Sequence, residues 1–263
     1  LLGCAIGVLS ELTVGRPRFD HAFEAVAALL VTLVATGVAT FVAPLSLQGV
    51  IIAALIVLMP GLTLTTAVTE LTAKQLVSGT ARFAGAMTTL MKLTFGTVAA
   101  AQVASTIGWT PMPNQGAVLP TWMPWLTLLA GSAAFVVLFK AARRDALLVM
   151  ASVWLGYGVT RVALQLPGMA EATLPGGVFL AGVVVTAAGN IYGRWANRPS
   201  ALIRVPGIIL LVPGSLGFRS LNFVFERDLM LGLDTAFAVL AALIALTAGI
   251  LFGNLLVPTR RHI

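Results

Sequence analysis

Charge is scarce in this chain. Charged residues make up 10% of its 263 residues and hydrophobic residues 59%, whereas a soluble domain carries about 25% charged residues. That shortage excludes a soluble globular domain and places the chain in lipid. Acid is scarcer than base, with 9 Asp and Glu against 16 Lys and Arg, for a net charge of +7. In a membrane chain such an excess reads as a bias in the loops, so no nucleic-acid partner is expected. Cysteine occurs once, at Cys4, which excludes an internal disulfide and a cysteine-built metal site. Histidine occurs only as His21 and His262, both in expected loops, so a histidine-rich metal centre is excluded too. No Ser/His/Asp set and no phosphate loop is present, which argues against an enzyme and an ATP-driven pump. No cofactor is expected. The chain opens inside an apolar run without an initiator Met, and is read as a fragment whose N-terminus was removed.

Long apolar runs are what remain. Leu1–Leu9 reads as the tail of a truncated helix and Ser10–His21 as a loop. Ala22–Val42, Gly79–Ala104, Trp122–Lys140, Ala146–Val162, Gly176–Tyr192 and Leu229–Val257 are each long enough, at about 1.5 Å per residue, to cross a bilayer. Leu47–Met59 and Ile203–Val212 are short for a core of about 30 Å, and each ends at a proline. Thr63–Val77 and Ser215–Asp228 are polar stretches, the first with Glu70 and Lys74 at helical spacing. Asn190, near a helix end, reads as interhelical glue. Trp109, Trp122, Trp125 and Trp195 fall near helix ends, as interfacial aromatics do.

The short segments belong to a duplication. Leu58-Met59-Pro60-Gly61 and Leu211-Val212-Pro213-Gly214 are 153 residues apart. The same offset pairs Gly79 with Gly232, Leu93-Thr94 with Leu246-Thr247, Gly96 with Gly249 and Leu2-Gly3 with Leu155-Gly156. A shared register of that length indicates an internal repeat. The expected domains are residues 1–106, a first membrane repeat truncated at its N-terminus; 107–121, a linker loop; and 122–263, the second repeat. Basic residues then set the orientation. Arg16, Arg18, Lys74, Arg82, Lys140, Arg143, Arg144, Arg194, Arg198, Arg204, Arg260 and Arg261 fall in alternate stretches, against Arg161, Arg219 and Arg227 in the others. This alternation requires both Pro-Gly segments to cross. The expectation is an all-α polytopic membrane protein with about nine helices, forming two five-helix repeats once a first helix is added. Five crossings per repeat invert the second relative to the first, a transporter architecture. Pro60 is then expected at the cytoplasmic side and Pro213 at the outside.

Chemistry concentrates at the breaks. Proline removes a donor and glycine permits backbone geometries closed to other residues. The carbonyls that end one helix and the amides that open the next suit an ammonium and a carboxylate respectively. Pro60, Gly61, Pro213 and Gly214 are therefore candidate substrate contacts. Thr63, Thr65, Thr66 and Ser215 add hydroxyls that either contact a ligand or cap the following helix. Lys92 lies near the middle of its apolar run, where a lysine costs about 2.5–3.5 kcal/mol. It reads as a contact for a substrate carboxylate or as a charge that changes in transport, with a structural ion pair as the plainer account. Glu70 and Asp234 are candidate coupling or gating acids. Glu70 could instead pair with Lys74, and Asp234 could serve its helix dipole. Arg219, Glu226, Arg227 and Asp228 read as a solvated face.

At these residues a family resemblance enters. Pro60-Gly61-Leu62-Thr63-Leu64-Thr65-Thr66-Ala67 with Leu76-Val77-Ser78-Gly79-Thr80-Ala81-Arg82 resembles the first-half signature of the threonine/serine exporter family. Val205-Pro206-Gly207 through Val212-Pro213-Gly214-Ser215-Leu216 resembles its second-half signature. The resemblance implies ten helices, a soluble N-terminal domain, and a secondary transporter in the bacterial cytoplasmic membrane. It also implies export of threonine and serine, driven by protons. Some relatives are implicated in dicarboxylate export, so succinate is an alternative substrate, and a non-transporting membrane module is the alternative class. The implied partners are the amino acid, protons and the lipid bilayer, with a homo-oligomer an open option. The chain departs from the family pattern at Thr66, at Lys74-Gln75 and at Lys92, departures that bear on substrate more than on fold.

Overall fold

A computed structural model describes residues 2–13, 22–112, 120–167 and 175–258. His21, His262, Arg16, Arg18, Arg260, Arg261 and the centre of the expected linker lie outside them. Eleven α-helices and no strand occur among the described residues. They are α1 (Leu2–Thr13), α2 (Phe23–Phe41), α3 (Leu47–Leu55), α4 (Gly61–Thr72), α5 (Leu76–Thr106) and α6 (Met123–Leu138). A 3₁₀ turn, Arg143–Asp145, leads into α7 (Ala146–Ala163), followed by α8 (Gly176–Trp195), α9 (Ala201–Ile209), α10 (Gly214–Phe225) and α11 (Leu229–Leu256).

The chain is a multi-pass membrane protein. Phe23–Phe41, Arg143–Ala163, Gly176–Trp195, Ala201–Phe225 and Leu229–Leu256 are long and apolar enough to cross a bilayer. Leu2–Glu11 and Met123–Leu138 are apolar but shorter. Large apolar side chains, among them Val34, Leu147, Phe237 and Leu255, point outward, as lipid-facing positions do. Among the described residues, five of the nine expected crossings meet that standard of length and composition. The run at Gly79–Ala104 is a 31-residue helix, but its threonines, Arg82 and Lys92 dilute it below that standard. The first helix also runs further than expected, through Thr13. Its last turn is supported by Ser10, whose hydroxyl donates to the Gly7 carbonyl at 2.7 Å.

The repeat register is written in the backbone. Helices α4 and α10 begin and end 153 residues apart, and α5 and α11 begin at the same offset. Before α4, Leu58 N–H donates to Leu55 O and Met59 N–H to Ile56 O; before α10, Leu211 donates to Ile208 and Val212 to Ile209. After α4, Gln75 N–H donates to Glu70 O and Lys74 N–H to Leu71 O. After α10, Asp228 donates to Phe223 and Arg227 to Val224. Each pair of bonds is a Schellman closure, which needs a left-handed residue at its turn. Lys74 and Arg227 take that conformation, with φ of 63° and 68°. Lys74 has therefore left the helix, and the expected helical pairing with Glu70 has no shared helical face. The αL turn also ends α4 at Thr72, earlier than the polar stretch suggested.

The chain divides into two compact units: Leu1–Leu64 with Leu76–Val118 and Gly214–Phe237, and Thr65–Gln75 with Leu119–Pro213 and Ala238–Ile263. In the first, α2 packs along α5 and α10 lies on α5. A Cβ on Gly96 would lie 2.1 Å from the Ala25 carbonyl oxygen and 2.9 Å from the Ala28 Cβ. In the second, α7, α8 and α9 pack together, over a core of Ala181, Val185, Ile208, Leu211, Leu246 and Ile250. A Cβ on Gly249, the repeat partner of Gly96, would lie 2.5 Å from the Phe179 carbonyl oxygen. Small residues let helix backbones approach where lipid supplies no hydrophobic drive.

Gly96→Ala and Gly249→Ala should therefore each destabilise the protein by about 1–3 kcal/mol, the usual cost of overpacking. Gly85→Ala should be neutral or stabilising, because nothing lies within 4 Å of its Cβ position. Thermal unfolding in detergent checks all three; equal midpoints would contradict the close helix approach.

Candidate functional site

Each break is a tight turn followed by a new helix. Gly61 N–H donates to Met59 O at 2.8 Å, and Leu64 N–H to Pro60 O at 2.9 Å, opening α4. Pro213 and Gly214 are buried, and α10 begins at Gly214. The two glycines meet within the first unit. A Cβ on Gly214 would lie 3.1 Å from Gly61 Cα, 3.3 Å from Gly61 N and 3.6 Å from Met59 Cβ. The expectation that Pro60 and Pro213 lie on opposite sides of the bilayer is therefore corrected. Backbones in contact share one depth, and a bilayer core is about 30 Å thick. A helix opens with amides that lack intrahelical partners and a partial positive charge. Two such openings start from this point.

The hydroxyls differ in setting. Thr65 is 4% exposed, and Thr69 Oγ1 donates to its carbonyl at 2.8 Å. Thr66 is exposed, while Thr63 and Ser215 are half-buried. Neither Thr63 nor Ser215 makes a side-chain hydrogen bond to a described residue, so neither caps its helix. The expected site residues are divided between the units. Pro60, Gly61, Thr63, Lys92, Gly214, Ser215 and Asp234 belong to the first, and Thr65, Thr66, Glu70 and Pro213 to the second. Glu70 is half-buried, and Asp234 is exposed in the second turn of α11. The cap of that helix is Asp228, whose Oδ1 accepts from Leu231 N–H at 3.1 Å.

Lys92 has a partner from another helix. Its Nζ lies 3.4 Å from Glu24 Oε2, with the two side chains 33% and 23% exposed. Glu24 stands in the first turn of α2, so the middle of α5 lies level with one end of α2. Lys92 does not face the breaks. Leu90 meets the Gly217 position on α10 at 3.3 Å, and two residues further the helix has turned by about 200°. The sequence had no signal for this pairing, because Glu24 lies 68 residues away.

Other polar pairs hold the second unit. Asn190 Nδ2 donates to Asn254 Oδ1 at 3.0 Å and to Val257 O at 2.7 Å, the interhelical link expected of it. Arg198 donates to Asp145. A hydrogen bond with Tyr192, then the charge of Asp145, hold the Arg198 guanidinium above its ordinary value. Arg219 was expected in a solvated face, but its Nε is buried, while Glu226, Arg227 and Asp228 are exposed as expected. No group of three or more metal-ligating side chains occurs among the described residues.

Two family models match the chain. Threonine/serine exporter covers residues 1–104, and threonine/serine exporter, ThrE, covers residues 125–256. The chain belongs to the threonine/serine exporter family. No curated protein and no solved structure matches it. One break falls in each family match, Pro60-Gly61 in the first and Pro213-Gly214 in the second. Membership in this transporter family implies a small amino-acid substrate for a membrane protein of this kind.

The Lys92–Glu24 pair is partly exposed, so its coupling should be modest. A double-mutant cycle with Lys92→Met and Glu24→Gln should return about 0.2–1 kcal/mol from unfolding in detergent. Additive single effects would show that the two charges do not interact.

Proposed function

We propose that the protein is a secondary transporter that exports small polar amino acids, threonine and serine, across a bacterial cytoplasmic membrane in exchange for protons. The observation that carries this reading is the contact between the two Pro-Gly breaks. Broken helices whose ends meet are how transporters present backbone groups to a substrate within the bilayer. At 1.5 Å per residue the 12-residue helices α4 and α10 extend about 18 Å from the break, enough to reach one membrane surface from the midplane. In this reading α3 with α4, and α9 with α10, each form one broken crossing. The repeats run in opposite directions, and the substrate sits where the breaks meet in the first unit, against Pro60, Gly61, Thr63, Gly214 and Ser215.

The backbone groups at the openings of α4 and α10 are assigned to the polar ends of the amino acid. Lys92 faces α2, so it keeps the second role read from the sequence: a charge whose pairing, here with Glu24, changes during transport. Glu70 and Asp234 are the coupling acids. Alternating access then needs only a change in which side of the midpoint is closed.

Efflux of labelled threonine, serine and succinate from cells carrying the full-length protein tests the substrate. Threonine and serine should leave faster than from control cells, and succinate should not. Gly61→Val and Gly214→Val should cut efflux several-fold more than they cut membrane abundance, since a branched side chain forces the breaks apart. Loss of protein in proportion to activity would reduce the breaks to structural kinks. Inversion is tested at repeat-equivalent helix ends. In a Cys4→Ser background, Arg227→Cys should react with an impermeant thiol reagent outside intact cells and Lys74→Cys should not; equal labelling would contradict opposed repeats.

A further inference from the structure

Helix α10 carries a polar stripe down one side. Ser215, Arg219 and Asn222 are spaced i, i+4 and i+7, which places them on one face. The stripe starts beside Gly214, where the breaks meet. Asn222 is 5% exposed, yet its side-chain amide makes no hydrogen bond to any described residue. The Nε of Arg219 is buried without a partner. Its guanidinium makes no ion pair or hydrogen bond with a described residue, and rests 5.8 Å over the Phe223 ring. The Ser215 hydroxyl likewise has no partner among the described residues. Ser220, one residue beyond Arg219, is by contrast satisfied, its hydroxyl donating to Gly232 O at 2.8 Å.

Buried polar groups are normally hydrogen-bonded, and each exception calls for a ligand, a water or a function. An arginine within a membrane segment is costly and turns to a protein interior or a cavity. The buried Arg219 Nε, the buried Asn222 and the half-buried Ser215 hydroxyl thus lie in a row on one face with no side-chain hydrogen bond to a described residue. The guanidinium offers donors in a fixed fork that matches a carboxylate. Asn222 offers a donor and an acceptor, and Ser215 a hydroxyl. The aromatic ring below Arg219 holds the fork without neutralising it.

We propose that Arg219, with Ser215 and Asn222, forms a carboxylate-binding site on α10, one turn beyond the break. The inference rests on the transport reading for its choice of amino acid, but not for its chemistry, since any small carboxylate fits the fork. The first repeat has no counterpart: Thr66 stands where the 153-residue offset places Arg219. The asymmetry gives the substrate one orientation, with its acid toward α10.

The test measures binding to the full-length protein in detergent, with L-threonine, L-serine, threonine amide and succinate as probes. Wild type should bind the acids and discriminate against the amide. Arg219→Gln should weaken the acids by about tenfold or more while leaving the amide unchanged. Its thermal midpoint should hold or rise, because a half-buried cation with no ion pair to a described residue has been removed. Arg219→Lys should bind acids at an intermediate level, and Asn222→Ala should weaken them without abolishing the preference for acid over amide. If wild type binds succinate and neither amino acid, the substrate reading fails while the Arg219 site stands, provided Arg219→Gln loses succinate. Arg219→Gln that keeps wild-type acid affinity, or a wild type that binds none of the acids, overturns the site.

Discussion

Everything in this fold answers to one constraint: a backbone in lipid has to satisfy its own hydrogen bonds. Each unpaired amide or carbonyl costs several kcal/mol in the hydrocarbon, so a helix broken by Pro-Gly survives only where protein or a wet cavity serves its ends. Here the two broken helices are placed against each other. Gly214 lies so close to Gly61 that a single Cβ would fill the space between them. Glycine is needed there for proximity first, and the surrounding contacts, including Met59, keep the openings of α4 and α10 together. Elsewhere polar side chains are joined in pairs, as with Asn190 and Asn254.

The same backbone has been used twice with different side chains. The turn before each break, the start of each following helix and the left-handed closure after it recur at an offset of 153 residues. Gly96 and Gly249 keep their helix contacts as well. On that common frame α4 carries threonines where α10 carries Arg219 and Asn222.

Much of this was legible in the residues. Apolar runs located most helices within a few positions, because in lipid the length of a run and the length of its helix are set by the same bilayer. The Pro-Gly repeat located both breaks, because proline and glycine act through the local backbone. Three things were not legible. Helix ends set by a basic residue in the left-handed conformation, at Lys74 and Arg227, carry no glycine to announce them. The partner of Lys92 is Glu24, and pairing across two helices leaves no trace in local spacing. The surroundings of Arg219 depend on how α10 packs on α5, so an arginine among mixed charges read as solvated although its Nε is buried. The family resemblance carried the functional class, which periodicity alone leaves open.

The meeting of the breaks is the most direct thing to measure. Met59 Cβ and a Cβ on Gly214 would be 3.6 Å apart, within the range of a disulfide. In a Cys4→Ser background, Met59→Cys combined with Gly214→Cys should form an intramolecular disulfide under mild oxidation in native membranes, and reduction should reverse it. If both cysteines react singly with a membrane-permeant thiol reagent but never with each other, the two broken helices do not meet.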